Sequence, residues 1–97
     1  MKVFWTDTAV KHLSAIYTYI GQNSPQYAAK MIDRLTRRSQ QIASFPLSGR
    51  VVTEFETKQI REVIEGSYRI IYYIKPDQID ILAVLHSSQQ ITPSEEE

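Results

Sequence analysis

The hydrophobic periods of this chain predict an α+β fold: an N-terminal strand and an α-helical hairpin packed on an antiparallel sheet of three to four strands. Three observations carry that prediction. Apolar side chains recur at helical spacing from Ala9 to Phe45, with one interruption between Gly21 and Pro25. Three β-prone runs then fill Ile60 to His86, separated by turn signals at Gly66-Ser67 and Pro76-Asp77. Between the halves, Pro46-Leu47-Ser48-Gly49 reads as a turn.

Taken in order, Lys2 to Trp5 is a short β-prone run that ends at Thr6. Thr6 or Asp7 suits the N-cap of a helix, because its side-chain oxygen accepts from the otherwise unpaired amides of the first turn. Ala9, Leu13, Ile16, Tyr17 and Ile20 form one apolar face, and Gly21 ends the helix as a residue that takes positive φ cheaply. Ser24 caps a second helix with Pro25 at its first position, where a missing amide costs nothing. Ala28, Met31, Ile32, Leu35 and Ile42 continue it to about Phe45, and Pro46 stops it. Val51 to Phe55 is either a short strand or irregular.

The sheet follows. Pro76 cannot sit in a type I′ turn, so the second turn runs from Lys75 to Gln78 and sets Ile74 opposite Ile79. Strict alternation then places Ile70, Tyr72, Ile74, Ile79, Ile81, Ala83 and Leu85 on one face, toward the helices. Arg69, Ile71, Tyr73, Asp80, Leu82, Val84 and His86 share the other face, which is too apolar for water alone and suggests a site or a partner. A two-residue first turn separates Arg61 from Arg69 across the sheet, whereas a three-residue turn unites them.

Composition narrows the function classes. The 97 residues suit one domain, read as 1–88, with 89–97 a polar acidic tail expected to be flexible. There is no cysteine, hence no thiolate zinc site and no cysteine nucleophile. No signal peptide opens the chain and no apolar run approaches a membrane span, so a cytoplasmic protein is expected, away from membranes. Net charge is zero but lopsided. Residues 1–50 hold seven cations against two acids, a balance of +5, and residues 51–97 hold four against nine, a balance of −5. No strong direct binding of nucleic acid is expected from a chain without net positive charge.

Arg61, Arg69 and His86 are the strand positions with cationic or proton-transfer chemistry. Arg69 offers a planar fork for phosphate and His86 an imidazole that could shuttle a proton. RNA cleavage through the 2′-hydroxyl needs a further acid–base group, and none follows His86. The competing reading pairs Arg69 with a carboxylate such as Glu62 or Asp80 and makes His86 a polar strand end. On the second helix, Lys30, Arg34, Arg37 and Arg38 cluster on one side, as a solvated face or as a docking stripe for an acidic surface. Trp5, Tyr17, Tyr19 and Tyr27 are expected at the core or its edge. His12 has no partner at metal-ligand spacing, and neither metal nor cofactor is implied.

The ordered set Trp5-Thr6, Ala9, Leu13, Ile16, Tyr19-Ile20, Pro25, Ala28-Ala29, Phe45-Pro46 and Gly49-Arg50 continues with Arg61-Glu62, Gly66, Tyr68-Arg69-Ile70-Ile71-Tyr72 and Val84-Leu85-His86. It resembles the RelE/ParE toxin superfamily over residues 3 to 87, and its Gly-Arg and Val-Leu-His pieces resemble the ParE branch. The resemblance implies the toxin of a type II toxin–antitoxin (plasmid stabilisation) system, held in a hetero-oligomer by a cognate antitoxin from a neighbouring gene. A ParE-like member inhibits DNA gyrase without covalent chemistry of its own. The alternatives are a RelE-like ribosome-dependent mRNA endoribonuclease using Arg69, His86 and Arg61, or an inactive relative that keeps only antitoxin binding. Partner-binding candidates are Arg69, Tyr73, His86, Lys30, Arg34, Arg37 and Arg38. One departure stands out: many ParE-like chains continue from the histidine into a basic run, and here Ser87-Ser88-Gln89-Gln90 follows.

Overall fold

Thr6 joins the first strand to the first helix and ties both to the sheet. Its hydroxyl accepts the Ala9 amide at 3.2 Å, as an N-cap should, and donates to the Ile81 carbonyl at 2.7 Å. The computed structural model describes residues 1–89; the expected acidic tail lies, from residue 90 onward, outside the described residues. Strand β1 spans Lys2–Trp5, helix α1 Asp7–Gly21 and helix α2 Pro25–Ser44. A 3-10 turn at Pro46–Ser48 leads to β2 (Arg50–Val51), β3 (Ile60–Glu65), β4 (Tyr68–Ile74) and β5 (Gln78–His86).

The helical hairpin forms as its caps dictate, with the Ser24 hydroxyl accepting the Tyr27 amide at 3.2 Å. Gly21 closes α1 without left-handed backbone, contrary to expectation. Gln22 stays right-handed, and the Asn23 and Ser24 amides both bond the Ile20 carbonyl, which ends the helix by hydrogen bonding alone. Among the described glycines only Gly66 has positive φ, at 60°, and it sits in the two-residue β3–β4 turn.

The sheet has five strands in the order β1-β5-β4-β3-β2, the expected N-terminal strand and four others. It is mixed rather than purely antiparallel, because β1 runs parallel to β5. Ala28, Met31, Leu35 and Ile42 of α2 and Ala9 of α1 are buried and face Val63, Tyr68, Ile70, Tyr72, Ile79, Ile81 and Val84. This is the main core. A second cluster lies on the opposite face, where the segment after β2 folds back and sets Val52 and Phe55 over Ile60, Ile71, Ala83 and Leu85. That face was expected to be open, and part of it is closed by the protein's own chain.

Ile74 does pair with Ile79, but the alternation breaks farther along. Tyr72 pairs with Ile81 and Ile71 with Ala83, so Leu82 is an extra residue, a β-bulge. From there each side chain of β5 changes face relative to strict alternation. Ala83 and Leu85 move to the Phe55 side, and Val84 and His86 turn toward the helices. The cause lies at the strand edge. β1 pairs with β5 only as far as Trp5–Ile81, after which the chain becomes α1. Beyond that point the Val84 amide donates to Nδ1 of His12 on α1 at 3.2 Å, and the His86 amide donates to the Gln89 side chain at 2.8 Å. The bulge turns a strand edge without a strand partner into one that side chains satisfy.

Replacing His12 by alanine leaves the part-buried Val84 amide without its acceptor. The expected cost is about 1–3 kcal/mol, measured as a lower urea midpoint at unchanged slope.

Candidate functional site

Glu65 pairs with Tyr68 across the two-residue turn, so Arg61 and Arg69 lie on opposite faces of the sheet. The bulge moves His86 away from Arg69 as well. The expected sharing of one open face by Arg69 and His86 is therefore corrected: Arg69 pairs in register with Leu85 on the Phe55 side, and His86 pairs with Tyr68 on the helix side. Arg61 shares His86's face but stands four β4 positions away, opposite Tyr72 rather than Tyr68.

Each of the three is also occupied. Arg69 is buried; its Nε donates to Glu62 Oε1 at 2.6 Å and its Nη1 donates to the Gln89 carbonyl. Glu62, itself 7% exposed, takes Arg50 Nε on its other oxygen at 2.9 Å. Two guanidiniums thus bracket one carboxylate at the floor of a polar cleft of about 430 Å³, lined also by Thr53, Glu54, Ile64 and Ser87. A buried pair of this kind adds little net stability, because desolvation offsets the attraction, but removing one partner strands the other.

Arg61 holds a loop. Its Nε donates to the Lys58 carbonyl at 3.0 Å and its Nη1 to the Gly49 carbonyl at 2.9 Å. Tyr72, its neighbour across β3–β4, is fully buried and does the same from below. The phenol donates to the Pro46 carbonyl at 2.6 Å and accepts the Gly49 amide at 3.0 Å. A Cβ on Gly49 would lie 2.4 Å from that phenol oxygen, so only glycine fits. The Pro-x-Ser-Gly-Arg sequence is a turn clamped by one tyrosine and one arginine. Burial pushes the Tyr72 phenol above its ordinary value near 10.0, with the Gly49 amide, Arg61 and Arg38 pulling partly the other way.

His86 lies edge-on to Tyr68, ring centroids 5.9 Å apart, with its Nδ1 accepting the Ser88 amide at 3.2 Å. Together with Ala15, Ile16 and Tyr19 these rings line a shallow groove of about 310 Å³ beside α1. Burial, with Tyr27 and Tyr19 nearby, also raises the Tyr68 phenol.

Residues 3–91 match the family model described as ParE toxin of type II toxin-antitoxin system, parDE. The chain belongs to the ParE toxin family. Toxin RelE2 of Caulobacter vibrioides is 35% identical over 89 residues, covering 91% of this chain and 97% of that protein. Y4kP of Sinorhizobium fredii is 33% identical over 91 residues, covering 92% and 91%. Among solved structures, a chain of the chromosomal ParDE system of P. aeruginosa superposes with a TM-score of 0.71 at 21% identity, over 89% of this chain and 95% of that one, a likeness of fold.

The remaining candidates of this ParE-family toxin divide. Arg34 meets Glu65 Oε2 through Nε and Nη2 at 3.0 and 2.8 Å, and Arg38 approaches the same carboxylate at 3.8 Å. Arg37 pairs with Asp33 one turn back at 3.0 Å, and Lys30 is exposed with no ion pair among the described residues. Most of the α2 stripe is therefore neutralised. Tyr73 sits at the uncovered end of the second face, opposite Asp80, whose carboxylate pairs with Lys75 at 2.6 Å and raises that ammonium's pKa. Trp5 packs at the core edge as expected, but Tyr17, Tyr19 and Tyr27 are about half exposed or more. Helical spacing missed them because each lies at the margin of the apolar stripe. No helix among the described residues is long and apolar enough to cross a membrane.

Two outcomes follow. Glu62→Ala leaves Arg69 buried and unpaired, at an expected cost of about 3–5 kcal/mol, whereas Arg50→Ala, at a 71% exposed side chain, costs at most ~1 kcal/mol; chemical denaturation of both variants checks the contrast. For Tyr72, a folded-state pKa above the unfolded one favours the neutral phenol in the folded protein. Its contribution is complete below about pH 10 and declines as pH rises through the folded value. Tyr72→Phe is less stable at pH 7, by about 1–3 kcal/mol for the unpaired turn groups, and the gap to the parent narrows above pH 10.

Proposed function

We propose that this ParE-family toxin acts by binding DNA gyrase and blocking its reaction, with no covalent chemistry of its own. The observation that supports this reading is the division of the three strand groups. Arg69 is buried on Glu62 on one face, while Arg61 and His86 are on the other and apart. Cleavage of RNA at one phosphate needs a base, an acid and a cation converging on it within hydrogen-bond reach. Here the cation best shaped for phosphate already holds a carboxylate. The match to a ParE description agrees with the same reading.

A ribosome-dependent nuclease is kept as the second reading because the Caulobacter relative carries the name RelE2. Purified protein added to gyrase supercoiling reactions and, separately, to translating ribosomes with mRNA distinguishes the two. Inhibited supercoiling with intact mRNA is the expected result. Cleavage that His86→Ala abolishes, in a variant that unfolds like the parent, overturns it. Arg69→Ala is a poor probe for this purpose, because it strips a buried carboxylate of a partner and weakens the fold itself. If neither reaction responds while the antitoxin still binds, the chain is an inactive relative that keeps antitoxin binding alone.

A further inference from the structure

The end of α2 presents two large apolar side chains to solvent on a backbone that cannot give way. Phe45 and Leu47 are each 69% exposed, the highest values among the large purely apolar side chains described. Unlike the tyrosines of α1, they have no hydroxyl to meet water. Neither serves the core, so packing does not account for them. The segment that carries them is bonded at every residue. The Phe45 amide bonds the Gln41 and Ile42 carbonyls at 3.1 Å and its carbonyl takes the Ser48 amide at 3.0 Å. Pro46 and Gly49 are held by Tyr72 and Arg61, and Arg61 Nη1 also approaches the Leu47 carbonyl at 3.5 Å.

Arg61 adds a charge to this knuckle. Arg34, Arg37, Arg38, Arg50 and Arg69 all sit on carboxylates of the chain. Arg61 bonds only carbonyl oxygens, so among the described residues it is the arginine whose charge no acid answers. A rigid apolar pair beside an unanswered guanidinium is the pattern of an interface anchor: little is lost in ordering it, and the charge selects what sits next to it.

We propose that Phe45, Leu47 and Arg61 form a docking site for a segment of the cognate antitoxin that sets a large apolar side chain beside an aspartate or glutamate. The antitoxin is the occupant because the chain belongs to a toxin–antitoxin family, whose resting partner is the antitoxin, and an acidic segment would answer the Arg61 charge beside the exposed pair. The inference rests on membership of the toxin–antitoxin family and not on gyrase as the target.

The test uses the full-length protein and the purified antitoxin encoded beside its gene, with affinity measured by titration. Phe45→Ser and Leu47→Ser each weaken binding at least about tenfold, as a central anchor does, and both unfold at the parent's midpoint. Leu47→Asp and Leu47→Lys remove the same apolar side chain with opposite charges. Leu47→Lys binds more tightly than Leu47→Asp if the partner segment is acidic. Affinities within twofold of the parent for both serine variants overturn the site, as does equal binding by the aspartate and lysine variants for its acidic partner. Loss of gyrase inhibition with unchanged antitoxin affinity also overturns it, by assigning the knuckle to the target. Failure of the gyrase reading shows separately, as parent protein that leaves supercoiling untouched while antitoxin titration proceeds.

Discussion

The architecture turns on the place where β5 loses its neighbour. β1 accompanies it for four residues, and at Thr6 the chain must leave the sheet to become α1. The remaining edge of β5 would then present unpaired amides to a helix. The molecule answers with Thr6 on the Ile81 carbonyl, His12 on the Val84 amide, and one extra residue, Leu82, that aims the amide at the imidazole. Buried backbone groups must be paired. A bulge with a histidine acceptor is how this sheet meets that demand while staying continuous with the hairpin above it.

That single residue decides which chemistry the second half can assemble. Without it, His86 and Arg69 would share a face, with Glu62 beside them, and the sheet would carry the beginnings of an acid–base site. With it, the histidine packs against Tyr68 beside α1, and the arginine is left with the Gln89 carbonyl and with Glu62, which it shares with Arg50. The two-residue turn at Gly66 separates Arg61 in the same way. Period-two geometry makes such choices all-or-none, since one residue of slip exchanges every side chain between faces.

Much of this was readable from the residues, and the exception has a physical reason. Thr6, Ser24-Pro25 and Pro46 act locally, so the helix ends declare themselves. Pro76-Asp77 marks the centre of the turn, and because two- and four-residue loops keep the same register, that is enough to set Ile74 opposite Ile79. The bulge has no such marker. Leu82-Ala83-Val84-Leu85 is apolar at every position, so sliding it by one residue leaves apolar side chains on both faces. With Phe55 and Val52 ready to cover the second face, neither register exposes grease, and the pattern is degenerate. The choice falls to His12, which is 72 residues away in sequence from the amide it accepts. The clamps on the Pro46–Gly49 turn were hidden for the same reason, because Tyr72 and Arg61 act on it from strands that come later in the chain.

The lopsided charge of the sequence has a parallel resolution. The basic half and the acidic half are not two surfaces: Arg34 and Arg38 reach across to Glu65, and Arg50 to Glu62, so cations from the first fifty residues meet acids from the last forty-seven. Pairs whose guanidinium reaches solvent add little stability, but they cancel the field that a basic helix face would otherwise project. What is left for electrostatic recognition is confined to groups that the fold does not answer internally. Arg61 belongs to that set because its bonds go to carbonyl dipoles, which orient a guanidinium without neutralising it. A cation held this way keeps its charge for an approaching partner, and it stands beside side chains that gain from leaving water.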